Sequence, residues 1–123
     1  MDELLFGRAE AWIKDDPDPV MAEAGRAILD AGDESVVGSH FGARLEFGTA
    51  GLRGAIGPGP NRMNRALVTR VTYAVGQYLM DSLADAPSRG VVVGYDGRHY
   101  SQEFAQDVVE VLGAMGFKIF AFP

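Results

Sequence analysis

Apolar positions open the chain at helical spacing. Leu4, Leu5, Ala9, Trp12 and Ile13 trace one short amphipathic helix, and Asp15-Asp16-Pro17 stops it. Asp18-Pro19 restarts the helical pattern with an acidic N-cap and a proline at the first helical position, where a missing N–H costs nothing. Met21, Ala24, Ile28 and Leu29 give the apolar face of a second helix, and Gly32 is its expected stop. Residues 33–42 read as short and irregular, with room for one helical turn. Ala43 to Phe47 alternates weakly and predicts a strand. Asn64 is a candidate N-cap for a long helix whose stripe is Leu67, Val68, Val71, Ala74, Val75, Tyr78, Leu79 and Leu83. Ala86 to Gly90 reads as a loop. Val91-Val92-Val93-Gly94 is wholly apolar and β-branched, as in a strand covered on both faces. Ser101 is expected to cap a further helix with the stripe Phe104, Val108, Val111, Leu112 and Met115. Gly116 ends it, and Lys118 to Phe122 predicts another strand.

Strands alternating with helices define an α/β protein. The expectation is a three-layer α/β/α arrangement with a mixed, mostly parallel sheet. A short helical N-terminal extension over residues 1–40 precedes it, and the α/β part runs over 41–123. A sheet of about three strands ending at Pro123 would leave an unprotected edge, so a longer parent chain is expected.

Composition narrows the function classes. With 47% hydrophobic and 23% charged residues, the 123-residue chain has the make-up of a soluble globular domain. A formal net charge of -6 disfavours non-specific nucleic-acid binding. The absence of cysteine excludes disulfides and thiolate metal sites. No apolar stretch approaches the ~20 residues of a membrane span, and Met1-Asp2-Glu3-Leu4-Leu5-Phe6 has no basic leader. A cytoplasmic protein without membrane or nucleic-acid partners is expected.

The stretch Leu45 to Asn64, "LEFGTAGLRGAIGPGPNRMN", carries glycine at 48, 51, 54, 57 and 59 around one hydroxyl, Thr49, and one early cation, Arg53. Two readings stand side by side. The glycines can simply make turns, which "GPGP" demands. They can also let backbone N–H groups approach an anion that a Cβ would block, with Arg53 adding a planar fork matched to phosphate oxygens. The spacing of Gly48, Gly51 and Gly54 fits neither the dinucleotide fingerprint nor a P-loop.

"FGTAGLRG" followed by "GPGPNRMN" resembles the opening signature of the α-D-phosphohexomutases, the phosphoglucomutase and phosphomannomutase family. "EFGTAGLRG" with "NRMN" is most similar to the branch with a helical N-terminal extension, which includes phosphoglucomutases and phosphopentomutases. "VVVGYDGRHYS", Val91 to Ser101, resembles the second conserved stretch of the same domain. The resemblance implies four domains around a cleft, of which residues 41–123 are the first part of domain 1. It implies a phosphoserine in a Thr-Ala-Ser-His-Asn-Pro loop, which this sequence lacks; Gly38-Ser39-His40 precedes the glycine stretch and has neither flank. The serine, the Mg2+ loop and domains 2–4 are expected beyond residue 123. The implied reaction interconverts hexose 1-phosphate and hexose 6-phosphate, glucose foremost, through a bisphosphorylated sugar such as glucose 1,6-bisphosphate, with Mg2+ in the parent enzyme. By resemblance, Arg53 lies beside the phosphoserine loop and stabilises the transferring group, Thr49 braces that loop, and Gly48, Gly51 and Gly54 let the backbone reach it. Gly51 and Gly54 share phosphate binding with Arg53. Ala50 stands where many relatives have serine, which weakens a side-chain role there.

The remaining polar residues read more plainly. Asp96 is expected to pair with Arg98 or cap a turn. His99 and His40 are remote from each other and predict no metal site. Arg62 is a second candidate to face the cleft. Tyr73, Tyr78 and Trp12 are expected to pack. A fragment inactive alone, whose partners are a sugar phosphate and the remaining domains of its own chain, competes with a stand-alone sugar-phosphate-binding module and with a ligand-free partner domain.

Overall fold

The computed structural model describes residues 2–123. The chain divides into two compact units, Met1–Leu67 and Val68–Pro123.

Three helices build the first unit. Helix α1 (Glu3–Asp15) starts at Asp2, whose carboxylate accepts from Leu5 N. Helix α2 (Pro19–Ala31) has Asp18 as N-cap, accepting from Val20 N, and stops at Gly32 in the left-handed conformation (φ 72°). The end of α1 at Asp15 and the Asp18 cap and Gly32 stop of α2 match the expected punctuation. The segment expected to be irregular is a complete helix, α3 (Glu34–Phe41), capped by Asp33 through Ser35 N and Val36 N. Short length and two glycines obscure it in sequence. Packing overrides propensity, because Val37 and Phe41 are buried with Ala9, Trp12, Ile13, Met21 and Leu29. Gly25 admits close approach: a Cβ there would stand 3.0 Å from Ile13 Cγ1 and 3.5 Å from Phe41 Cζ. At the surface Arg26 makes a two-pronged bond to Glu10 (2.7 and 2.8 Å), which lowers the Glu10 carboxyl below its ordinary value. That exposed pair contributes little.

After α3 comes a two-stranded antiparallel hairpin, β1 (Phe47–Gly48) and β2 (Gly51–Leu52), in register Phe47↔Leu52 and Gly48↔Gly51. The strand expected over residues 43–47 is therefore confined to its last residue and Gly48. Helix α4 (Arg65–Ser82) follows as expected, and Asn64 Oδ1 accepts from Leu67 N at 2.9 Å.

In the second unit the expected loop holds a one-turn helix, α5 (Ala86–Arg89). Strand β3 (Val91–Val93), helix α6 (Ser101–Ala114) and strand β4 (Ile119–Ala121) form a βαβ unit with parallel register Val91↔Ile119, Val92↔Phe120 and Val93↔Ala121. One ladder is antiparallel and the other parallel, and the two are separate sheets rather than one mixed sheet. Ala86, Leu112 and Phe117 form the core, with Leu79, Met80, Val91, Val108, Met115 and Ile119 against it.

Three expectations are corrected here. Val92 is 67% exposed, so β3 is covered on one face only. Tyr73 and Tyr78 are exposed rather than packed, because α4 meets α6 at Gly76, where a Cβ would stand 2.7 Å from Met115 Sδ. Helix α6 is entered through Tyr100 in the left-handed conformation (φ 69°), and Ser101 Oγ instead accepts from Asp96 N. Among the described residues, no helix is long and apolar enough to cross a membrane.

Candidate functional site

The glycine stretch divides into two parts with different physical roles. The first is the hairpin, with Thr49 and Ala50 at its tip and Gly51 (φ 97°) providing the left-handed residue that closes tight hairpins. Thr49 and Arg53 are both exposed, and neither side chain makes a hydrogen bond or ion pair among the described residues. Gly54 lies against Leu45, where a Cβ would stand 2.7 Å from Leu45 Cδ1. Thr49, Gly51, Arg53 and Gly54 thus share one hairpin and its exit. No hydrogen bond joins Thr49 to Arg53.

The second part, residues 55–64, is a turn built against the end of α3. Asn64 is fully buried, and its Nδ2 donates to Gly57 O (2.8 Å) and Gly59 O (2.7 Å) while its Oδ1 caps α4. Gly59 (φ 101°) passes so close to His40 that an added Cβ would stand 2.3 Å from His40 O. His40 Nδ1 donates to Pro58 O at 2.9 Å. Arg62 does not remain uncommitted: Nη1 donates to Ser39 O (2.8 Å) and Asn61 O (3.0 Å), and Nη2 to Ser39 Oγ (2.7 Å). Asn61 adds bonds from Nδ2 to Ser39 O (3.0 Å) and from its backbone N to His40 O (3.2 Å). Of the two readings of the glycines, turn-making therefore describes Gly57 and Gly59. Sequence reasoning overlooked the engagement of Ser39 and His40, because their partners, Pro58, Asn61 and Arg62, lie about twenty residues further along the chain.

In the loop after β3, Asp96 pairs with Arg98 as expected. Arg98 Nε and Nη2 lie 2.8 and 2.7 Å from Asp96 Oδ2, and Arg98 N donates to Oδ1 at 3.0 Å. The guanidinium first, and then the backbone N–H, hold the Asp96 carboxyl at about 2 against an ordinary 3.8. Among the described residues no three His, Asp or Glu side chains gather to hold a metal ion. A recess of about 540 Å3 lined by Thr69, Arg70, Tyr73, Val111, Ala114 and Met115 includes none of the expected site residues.

Chemically, the hairpin offers a hydroxyl and a guanidinium to solvent, suited to phosphate oxygens.

Residues 44–123 match the family model described as phosphoglucomutase/phosphomannomutase, alpha/beta/alpha domain I. The chain belongs to this phosphosugar mutase family. Phosphopentomutase of Mus musculus is 31% identical over 128 residues, covering 99% of this chain and 21% of its own length. Probable phosphoribomutase of Schizosaccharomyces pombe is 34% identical over 122 residues, covering 99% and 21%. Phosphoglucomutase of Staphylococcus haemolyticus is 36% identical over 109 residues, covering 89% and 19%. The chain thus spans about a fifth of the length of these curated relatives. No solved structure matches it significantly.

Proposed function

We propose that this chain supplies the first part of domain 1 of a phosphosugar mutase that interconverts hexose 1-phosphate and hexose 6-phosphate, with glucose as the sugar. A phosphoserine donates its phosphoryl group, a bisphosphorylated sugar such as glucose 1,6-bisphosphate forms and turns over, and the other phosphate returns to the serine. The carrying observation is the uncommitted guanidinium of Arg53, exposed at the exit of a rigidly rooted hairpin in a family member. Phosphoryl transfer asks mainly for in-line positioning and for positive charge on the equatorial oxygens. Arg53 supplies that charge, Thr49 braces the phosphoserine loop, and Gly51 and Gly54 bring the main chain close. The serine is not among these 123 residues, since the sequence contains no Thr-Ala-Ser-His-Asn-Pro loop. Alone, the chain is inactive. Its ladders join a mixed sheet in the complete domain, and Mg2+ is held by residues of the parent that are not in this chain. The whole enzyme acts in the cytoplasm.

A pentose reading has its own support, because relatives named phosphopentomutase and probable phosphoribomutase align over 99% of the chain, helices α1–α3 included. Measuring kcat/KM of the complete protein on glucose 1-phosphate and ribose 1-phosphate decides between the two. In that protein Arg53→Lys lowers kcat by about 10²–10³, because a point charge cannot reproduce the bidentate fork. Near-normal turnover by that variant rejects the role of Arg53.

A further inference from the structure

Helix α3 ends in four carbonyls without intrahelical partners, the electron-rich end of the helix dipole. Here the chain itself satisfies two of them, Ser39 O and His40 O, from a distance. Gly38 O accepts from Gly42 N, Ser39 O from Arg62 and Asn61, and His40 O from Asn61 N. The cation of Arg62 sits where a helix C-terminus favours positive charge.

The same turn holds both roots of the Arg53 hairpin. Leu45 N, two residues before β1, donates to Pro60 O at 3.0 Å. Ala55 O, two residues after Arg53, accepts from Met63 N at 2.8 Å, and Gly57 N donates to Met63 O at 3.2 Å. A continuous path of hydrogen bonds therefore runs from the end of α3 through Arg62 and Asn61 to the turn, and from the turn to either side of the hairpin. Among the described residues Thr49 and Arg53 make no stabilising side-chain bond of their own, so the hairpin's aim depends on its roots.

We infer that Ser39 and Arg62 are positioning residues for Arg53: the Ser39–Arg62 contact makes helix α3 the anchor that fixes the direction of the phosphate-facing hairpin. The functional half of this inference rests on the role given to Arg53 above, and the mechanical half does not. Neither residue touches substrate. The Ser39 hydroxyl acts through Arg62, and Arg62 through the turn.

Amide hydrogen exchange on the 123-residue chain tests the mechanical half. Arg62→Met speeds exchange of the Leu45, Gly57 and Met63 amides about tenfold, the scale expected for losing charge-assisted bonds. Ser39→Ala, exposed and tolerant of truncation, speeds it by a smaller factor, and the double variant exchanges like Arg62→Met because both remove one contact. Exchange within about twofold of the unaltered chain in Arg62→Met, or an equal rise throughout α1 and α6, overturns the inference. The functional half is read on the complete polypeptide carrying these residues: both variants lower kcat while KM stays within about twofold. Unchanged kcat beside loosened amides overturns the positioning role. Absence of mutase turnover in the unaltered polypeptide sinks the proposed function, and the exchange data still decide the anchor.

Discussion

Asn64 carries two tasks with one side chain. Its oxygen caps α4, and its nitrogen closes the turn on Gly57 O and Gly59 O in a fully buried position. Capping alone is satisfied equally by aspartate. Asn64→Asp is therefore diagnostic, since it keeps the cap and aims an anion at two carbonyls. Asn64→Ala is expected to cost about 2–4 kcal/mol from the lost cap and the stranded carbonyls, and Asn64→Asp at least as much. Urea denaturation measures both, and a near-neutral Asn64→Asp would reduce the residue to a cap. Gly59→Ala loses at least about 2 kcal/mol in the same assay, because φ 101° is strained for alanine and His40 O fills the space its Cβ needs. The cap was legible in the sequence, as was the pairing of Asp96 with Arg98. The second task of Asn64 was not, because the acceptors are main-chain carbonyls whose positions no residue letter reveals. Arg62 was equally opaque: a cation after a turn gives no sign that it belongs to a helix end more than twenty residues earlier.

At the scale of elements, the sequence was most informative where capping and periodicity agreed, as at α1, α2 and the length of α4. It was least informative at α3, where Phe41 and Val37 hold a helix that local propensity barely supports. On α4 the stripe is right in part: Leu67 is buried and Leu79 packs on the core, whereas Val75 and Tyr78 are exposed and Gly76, which no hydrophobic stripe counts, lies against Met115. Phe41→Ala should destabilise α1–α3 by about 3–5 kcal/mol, followed through Trp12, the one tryptophan in the chain and a member of that core. In the loop between β3 and α6, the Asp96 carboxyl lies at about 2 in the folded chain and 3.8 in the unfolded one. A depressed carboxylate contributes stability above its unfolded pKa, and that contribution fades as pH falls from about 4 through 2. Carboxyl-carbon NMR should therefore show Asp96 titrating near 2, and Asp96→Asn should remove this part of the acid dependence. Titration near 3.8 would mean that Arg98 leaves the pair open in solution.

The whole molecule was readable as a member of an α/β family from two strings, residues 45–64 and 91–101, and the family match over residues 44–123 agrees. The sheet was less legible. Apolar strand residues do not declare how many neighbours they have, and here they form one short hairpin and one parallel pair. The parallel pair keeps an apolar face open. Val92 and its register partner Phe120 are 67% and 49% exposed, and Lys118 Nζ lies 5.1 Å from the Phe120 ring centroid. Uncovered apolar surface of this kind binds hydrophobic dyes and promotes association. The chain should accordingly enhance anilinonaphthalene-sulfonate fluorescence and self-associate as its concentration rises. Val92→Thr with Phe120→Thr should diminish both, and an unaltered dye signal would place the responsible surface elsewhere.

The junction between α3 and the turn is read largely in a currency common to all amino acids. Four of its five bonds end on main-chain oxygens, two on Ser39 O, one on His40 O and one on Pro58 O. The helix could be rewritten with other letters, provided it ended at the same place with an acceptor at 39 and a donor at 40. The turn has no such latitude, because its half of the handshake uses the amide of Asn61 and the guanidinium of Arg62. A chimera that borrows α1–α3 from a distant relative should therefore still dock, whereas one that borrows only residues 57–64 should not.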